Sequence, residues 1–436
     1  MSFEVDFIRL RELSIRITKG TTPTKGEGFV ECGVNYIKSE SITADGTIDS
    51  SKFAFIDPVT HEKLLRSQLR AGNVLFSMAG MYLGKTAVVS SEHLPANTNQ
   101  AVGIITLDES KADPYFIHFS LQSPACRSWV LGSAAQSAQP NFNLQEIGDL
   151  KIPAFSLVRQ KEIASVLRLL DDRITLLRET NATLEAIAQA LFKSWFVDFD
   201  PVRAKLEGRT PEGIDETTAA LFPDGFEESE LGLVPRGWRA SNMGEVSTVG
   251  IGKTPPRKEP QWFSESAEDM RWVSIRDMGV SGVYASQTSE YLTSEAIQRF
   301  NVRVVPDNTT LLSFKMTIGR VAITDGEMTT NEAIAHFKLN QQSPLTSKFI
   351  YLHLKQFNYA SLSSTSSIAD AVNSKTVRNI PVLVPNSEVL GAFQNQVKPL
   401  FDRIKVIEQQ AQTLATLRDT LLPRLISGAL RLPETL

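Results

Sequence analysis

The sequence predicts an α+β chain. Two repeated mixed α/β domains are separated by two long helices that pair as an antiparallel coiled coil, with a pseudo-two-fold relation between the halves. Three observations predict it. Two heptad stripes of apolar residues lie at a constant offset of 230 residues. The strand-like and turn-like segments before the first stripe recur in the same order before the second. Between the first stripe and the second set of segments, glycine and proline break every periodicity.

Residues 1–155 read as the first domain. The runs 34–37, 73–76, 86–89 and 102–107 are rich in β-branched and aromatic residues and are bounded by Gly, Pro, Asn and Asp, so they read as strands. Residues 114–121 and 124–131 read as short helices, and Ile152-Pro153 closes the domain.

Residues 156–199 read as the first long helix. Ile163, Leu167, Leu170, Ile174, Leu177, Leu184, Leu191 and Trp195 recur at four- and three-residue steps, and Asn181 is the one polar member of the stripe. A 3.5-residue period held this long calls for a helical partner. Asp200-Pro201 is expected to stop the helix, since the residue before proline avoids helical dihedrals. About forty residues at ~1.5 Å each give a rod of about 60 Å. Residues 200–237, with nine Gly or Pro and the acidic Glu227, Glu228 and Glu230, read as a linker.

Residues 238–386 repeat the first domain. Gly20-Thr21-Thr22-Pro23 answers to Gly252-Lys253-Thr254-Pro255, and Tyr36-Ile37 to Trp272-Val273. Leu83-Gly84-Lys85 answers to Ile318-Gly319-Arg320, and Thr98-Asn99-Gln100 to Thr330-Asn331-Glu332. Phe116-Ile117 answers to Phe349-Ile350; Asn141 and Asn373 stand at equal distances before Pro153 and Pro385. Residues 387–428 then read as the second long helix, with Phe393, Val397, Leu400, Ile404, Ile407, Leu414, Leu421 and Leu425 on its stripe, followed by a tail at 429–436.

Composition narrows the function. Apolar content of 42% and charged content of 22% suit a globular protein. Two cysteines allow no disulfide framework or cysteine-based zinc site. No run reaches membrane-spanning length, and the acidic start (Met1 to Asp6) is unlike a signal peptide, so a cytoplasmic protein without membrane contact is expected. The net charge of −4 excludes a globally basic nucleic-acid coat, leaving local patches.

Catalytic motifs are missing. Gly84-Lys85-Thr86 and Gly252-Lys253-Thr254 mimic phosphate-binding loops, but Ala79 and Ser247 stand where a Walker loop needs its first glycine. Thr254-Pro255-Pro256 continues into Arg257, not into the aromatic of an adenine-methyltransferase tract. Glu109-Ser110-Lys111 has a nuclease-like spacing but falls in a turn. The five histidines show no metal-ligand spacing, so no metal site is expected.

Two similar readers on a spacer suit a ligand with two separated sites, and DNA half-sites are such a ligand. The chain resembles the specificity subunit of Type I restriction-modification systems. The resemblance rests on the helix pair, on LRETNATLEAIAQALFKSWFVDFDPVRAKLEG at 177–208, on LFPDGFEESELGLVPRGW at 221–238 and on LRDTLLPRLISG at 417–428. It implies two target recognition domains, each reading one half of a bipartite asymmetric sequence in double-stranded DNA. It implies helices that act as spacer and dock two methyltransferase subunits, with restriction subunits joining them. It implies no catalysis and no cofactor in this chain; S-adenosylmethionine, ATP and Mg would belong to the partners. A bivalent scaffold or ligand-binding protein without DNA, and a self-contained enzyme, are the competing classes. Salt-sensitive duplex binding separates the first, and a turnover assay the second.

Candidate DNA-contacting residues lie on matched loops and are of types that reach phosphates or base edges. In the first domain they are Lys19, Thr21, Thr22, Lys25, Lys38, Ser39 and Lys85; in the second, Lys253, Thr254, Arg257, Lys258, Arg276, Lys315 and Arg320. The charge shared by Lys85 and Arg320 suits a scaffold role equally, and Asn99 and Asn331 suit turn caps. The aromatic cluster Phe192, Trp195, Phe196 and Phe199 exceeds the needs of a two-helix seam. It is expected either to meet a partner subunit or to pack on the adjoining domain.

Overall fold

A computed structural model describes residues 5–24, 27–134, 141–362 and 372–433. The chain divides into two compact units. One holds the residues up to Thr175 and those from Gln412 onward; the other spans Leu176–Ala411.

The first unit is built on two four-stranded sheets. One runs Ser14–Lys19, Val102–Leu107, Val74–Ser77, Thr86–Val88, all antiparallel. The other runs Phe29–Val30, Ala54–Ile56, Val34–Ile37, Ala96–Thr98, and its last pair is parallel. Strand Phe7–Arg9 pairs with Lys151–Pro153 and ties the start of the domain to the foot of the long helix. Continuous runs such as Val102–Leu107 are buried along nearly their whole length, as expected of strands covered on both faces.

The second unit repeats this order. One sheet runs Thr248–Ile251, Ile334–Lys338, Thr310–Ser313, Val321–Thr324, with Tyr284–Ala285 added in parallel at its edge. The other runs Phe263–Ser264, Glu290–Leu292, Met270–Val273, Thr329–Thr330, again ending in a parallel pair. Arg239–Asn242 pairs with Pro381–Val384 as the closing strands.

The two long helices are Leu157–Phe196 and Ser387–Ile426, each of 40 residues. In the first unit Asp171 meets Arg418 at 2.6 Å, and Phe155 lies beside Gly428. In the second, Asn181 Nδ2 donates to the Ile404 carbonyl at 3.3 Å, and Phe192 stacks on Phe393. In either unit, moving forward on one helix means moving backward on the other, so the segments pack antiparallel. Every member of both heptad stripes is buried or half-buried.

Three expectations need correction, and one open alternative is decided. Proline does not stop the first helix; it ends at Phe196, and Pro201 opens the next helix, Asp200–Leu206. Proline fits a first helical turn because the missing N–H has no partner there anyway. The reversal falls on Phe199, whose φ of 56° is left-handed and whose ring packs on Phe226 and Trp238. Second, the supposed linker is folded. Residues 226–229 and 232–235 form a hairpin, and Val202 and Phe222 are buried in the core of the second unit. Its glycines and prolines mark turns between short elements. Third, of the two roles open to the aromatic cluster the second holds: Phe192, Trp195 and Phe196 pack against Phe222, Trp238, Phe349 and Phe393 in the core of the adjoining unit. Fourth, Asn143, not Asn141, corresponds to Asn373. Each caps a five-residue helix, Leu144–Gly148 or Ser374–Arg378, by accepting from the second and third amides. This keeps the 230-residue offset of the long helices.

Candidate nucleic-acid interface

The matched loops are anchored in the same way in both units. Gly20 donates to the Val102 carbonyl at 3.0 Å, and Thr21 to that of Thr98 at 3.0 Å. Gly252 donates to Ile334 at 3.1 Å, and Lys253 to Thr330 at 2.9 Å. A Cβ on Gly20 would stand 2.1 Å from the Thr98 oxygen, and one on Gly252 would stand 2.2 Å from the Asn331 oxygen. Only glycine lets the loop lie this close to its neighbour. An aromatic then holds each loop from beneath: Tyr36 Oη donates to the Thr21 carbonyl at 3.0 Å, and Trp272 Nε1 to the Lys253 carbonyl at 3.2 Å. Burial pushes the Tyr36 phenol above its ordinary range, which keeps it a donor.

A second pair of matched loops leads out of a central strand. Ser77 and Lys85 close the first, with Gly84 at a φ of 79°. Ser313 and Arg320 close the second, with Gly319 at 91°. The half-buried Lys85 lies over the Tyr82 ring at 4.8 Å. Burial, and then the nearby charges of Lys52 and Arg127, hold its ammonium below the usual lysine range, against Asp45. Lys52 is paired with Asp49 at 2.9 Å, so the half-buried Lys85 is the cation this loop offers to an anion. Arg320 is committed elsewhere: Nη1 donates to the Ile275 carbonyl at 2.6 Å and pins the turn Ile275–Met278.

The other candidates divide by exposure. Lys19, Thr22, Lys253, Lys258, Arg276 and Lys315 are exposed. Thr21 is half-buried and accepts from Arg66 Nη2 at 3.4 Å. Lys38 is paired with Glu40 at 3.4 Å. Thr254 donates to Glu332. Arg257 is held by both carboxylate oxygens of Glu290, at 2.7 and 2.9 Å, and stacks on Phe263 and Trp272. Its role is to brace its own sheet. Ser39 is buried in the turn Ser39–Ser41, and offers no surface to a duplex. Lys25 lies outside the described residues. Sequence reasoning missed Lys52, Arg66 and Arg127; each is remote along the chain from the loop it serves, and no local motif announces it.

The turn-cap reading of Asn331 holds, since Oδ1 accepts from the Ala333 amide at 3.1 Å. Its counterpart Asn99 keeps a buried Oδ1 without a hydrogen-bond partner among the described residues.

Burial drives His118 and His353 to about 4 and His336 to about 3, so all three are neutral near pH 7. Each is bonded within the fold, to Thr86, Pro381 and Thr330 respectively. Burial raises the Cys126 thiol to about 12, far from a reactive thiolate. Among the described residues no three His, Cys, Asp or Glu side chains gather as metal ligands, and no helix is long and apolar enough to cross a membrane. The arrangement offers cations, hydroxyls and backbone amides at loop surfaces, which is binding chemistry.

A family model described as Type I restriction modification DNA specificity domain matches the chain twice, over residues 4–186 and 235–415. The chain is 27% identical over 409 residues to the HindI specificity subunit of Haemophilus influenzae, covering 84% of this chain and 86% of that one. It is 24% identical over 356 residues to the MjaIX specificity subunit of Methanocaldococcus jannaschii, covering 78% and 74%. The crystal structure of a Type I restriction-modification S subunit from M. genitalium shares the fold, with a TM-score of 0.54 at 15% identity over 97% of this chain and 96% of that one.

Proposed function

Because this chain belongs to the family of Type I restriction modification DNA specificity proteins, we propose that each of its two repeats reads one half of a bipartite, asymmetric DNA site. The chain is the sequence-specificity subunit of a restriction-modification complex. One observation carries the two-half reading. The loop scaffold is the same in both units, glycine contact and aromatic donor included, while the exposed side chains on it differ. A shared scaffold fixes how the loop meets the duplex; different side chains give each half its own base preference. Lys19, Thr22 and Lys85 would act in the first unit, and Lys253, Lys258, Arg276 and Lys315 in the second.

The long helices set the spacing of the halves and dock two methyltransferase subunits. Their outer faces carry apolar residues at matched positions: Leu176 and Val406 are 51% and 44% exposed, Ile187 and Leu417 both 44%. Both pairs obey the 230-residue offset, which supports two copies of one partner meeting equivalent surfaces. Restriction subunits join that core. Catalysis, with S-adenosylmethionine, ATP and Mg, belongs to the partners, and the assembly works on DNA in the cytoplasm.

The test is co-expression with the methyltransferase subunit in a methylation-free host, followed by genome-wide mapping of N6-methyladenine. Two short defined sequences flanking a fixed unspecified gap are expected. Co-purification without any methylated motif would overturn the reading of these loops as DNA readers.

A further inference from the structure

Met81 is 86% exposed and Met316 is 85% exposed. Both stand three residues before the left-handed glycine of the same loop, Gly84 in one unit and Gly319 in the other. The other described methionines behave differently: Met78, Met243, Met278 and Met328 are buried, and Met270 is half-buried. An apolar tip held in water at one place in both repeats serves no core.

The backbone at the Met316 tip is also costly. Met316 itself has a φ of 59°, a conformation that L residues other than Asn, Asp and Gly rarely adopt. In the first unit the left-handed residue, at 66°, is Gly80, one place before Met81, where glycine adopts it freely. Each tip has a lysine beside it on its own loop. Lys85 follows Met81 on the same loop, with the charges of Lys52 and Arg127 felt at Lys85 and Lys52 itself paired with Asp49 at 2.9 Å. The exposed Lys315 immediately precedes Met316. Cations draw a polyanion onto this surface and so press the methionine against it. A polyanion with an apolar layer behind its charges is stacked nucleic acid.

We propose that Met81 and Met316 are wedges, each inserted at one base step of its half-site. This rests on the reading of the chain as a two-half DNA reader and adds how each half is gripped. Methionine is unbranched and polarizable, so it adapts to the gap between bases, and apolar side chains of this kind open base steps. The wedge favours steps that unstack easily, such as pyrimidine–purine steps, and so contributes to specificity through deformability.

The experiment uses the complex with methyltransferase subunits and duplexes carrying its mapped motif. 2-Aminopurine is placed at each step in turn, leaving out the adenine that the transferase extrudes. Fluorescence should rise at one step in each half-site. Met81→Ala should abolish the rise in one half and Met316→Ala in the other, each weakening binding by roughly tenfold, the scale of a lost buried methionine. Met316→Gly relieves the left-handed backbone, so it should raise the thermal midpoint and still abolish the signal, which separates the wedge from a folding defect. A flat fluorescence profile, or a rise that survives both alanine variants while the motif is still methylated, overturns the wedge and leaves the two-half reading standing. Absence of any methylated motif overturns both.

Discussion

Trp272 Nε1 donates to the Lys253 carbonyl at 3.2 Å, and Tyr36 makes the matching bond to Thr21 in the other unit. Two different aromatics thus hold one kind of loop through one kind of bond. Tyr36→Phe keeps the ring and removes the donor. It should cost about 1 kcal/mol in urea unfolding and weaken recognition of one half-site only, read as methylation rate on half-site-mutated duplexes.

Gly20→Ala and Gly252→Ala place a methyl 2.1–2.2 Å from backbone or hydroxyl oxygens that cannot swing away. The loop must move. Destabilisation of about 1–3 kcal/mol is expected, the range of overpacking, with loss of methylation at the motif. Ala at the open turn glycine Gly208 would add strain there but leave methylation intact.

Arg418 meets Asp171 at 2.6 Å with both side chains mostly buried. Burial raises the Asp171 carboxyl above its usual range, and Arg418 only partly offsets this. Arg418→Met leaves a buried carboxylate without that partner and should destabilise by about 2–4 kcal/mol. Replacing both, as Asp171→Leu with Arg418→Met, should be neutral or stabilising by about 1 kcal/mol. A double-mutant cycle in denaturant checks it.

His118, His336 and His353 are all held well below the ordinary imidazole value, by burial. The unfolded chain takes up protons near pH 6.5 while the folded one does not until about 4 or below. In that window the unfolded state binds more protons, so stability falls as the pH falls and is unaffected above about 6.5. Each histidine should contribute roughly 1–3 kcal/mol across the window. His118→Gln should flatten the dependence by about one proton, measured as thermal midpoint against pH.

Lys52 and Arg127 lie near enough to Lys85 to oppose its charge, while Lys52 pairs with Asp49 at 2.9 Å. Alanine at any of these cations should weaken DNA binding about equally across sequences. Each should lower the slope of log affinity against log salt by about one. A change of recognised motif instead would make that residue a base reader.

The repeat was legible because it is written twice. Heptad stripes, strand runs and loop motifs recur in order, and recurrence separates signal from chance. The folded linker was not legible. Phe222 stands among turn residues with no apolar period around it, and only its meeting with Trp195 makes it core. Arg257 read as a free cation for a similar reason, since Glu290 and Trp272 lie far along the chain.

The sequence by itself determined the two-domain, two-helix plan and the antiparallel seam. Apolar periodicity and the positions of glycine and proline follow from local backbone geometry, and these are properties of neighbouring residues. The tertiary structure decided which charged side chains remain available and which apolar ones stay in water. Lys85 gained Lys52 and Arg127, Arg320 was spent on a carbonyl, and Met81 and Met316 were left exposed. Those outcomes depend on which distant residues come within a few ångströms, and no local pattern encodes that.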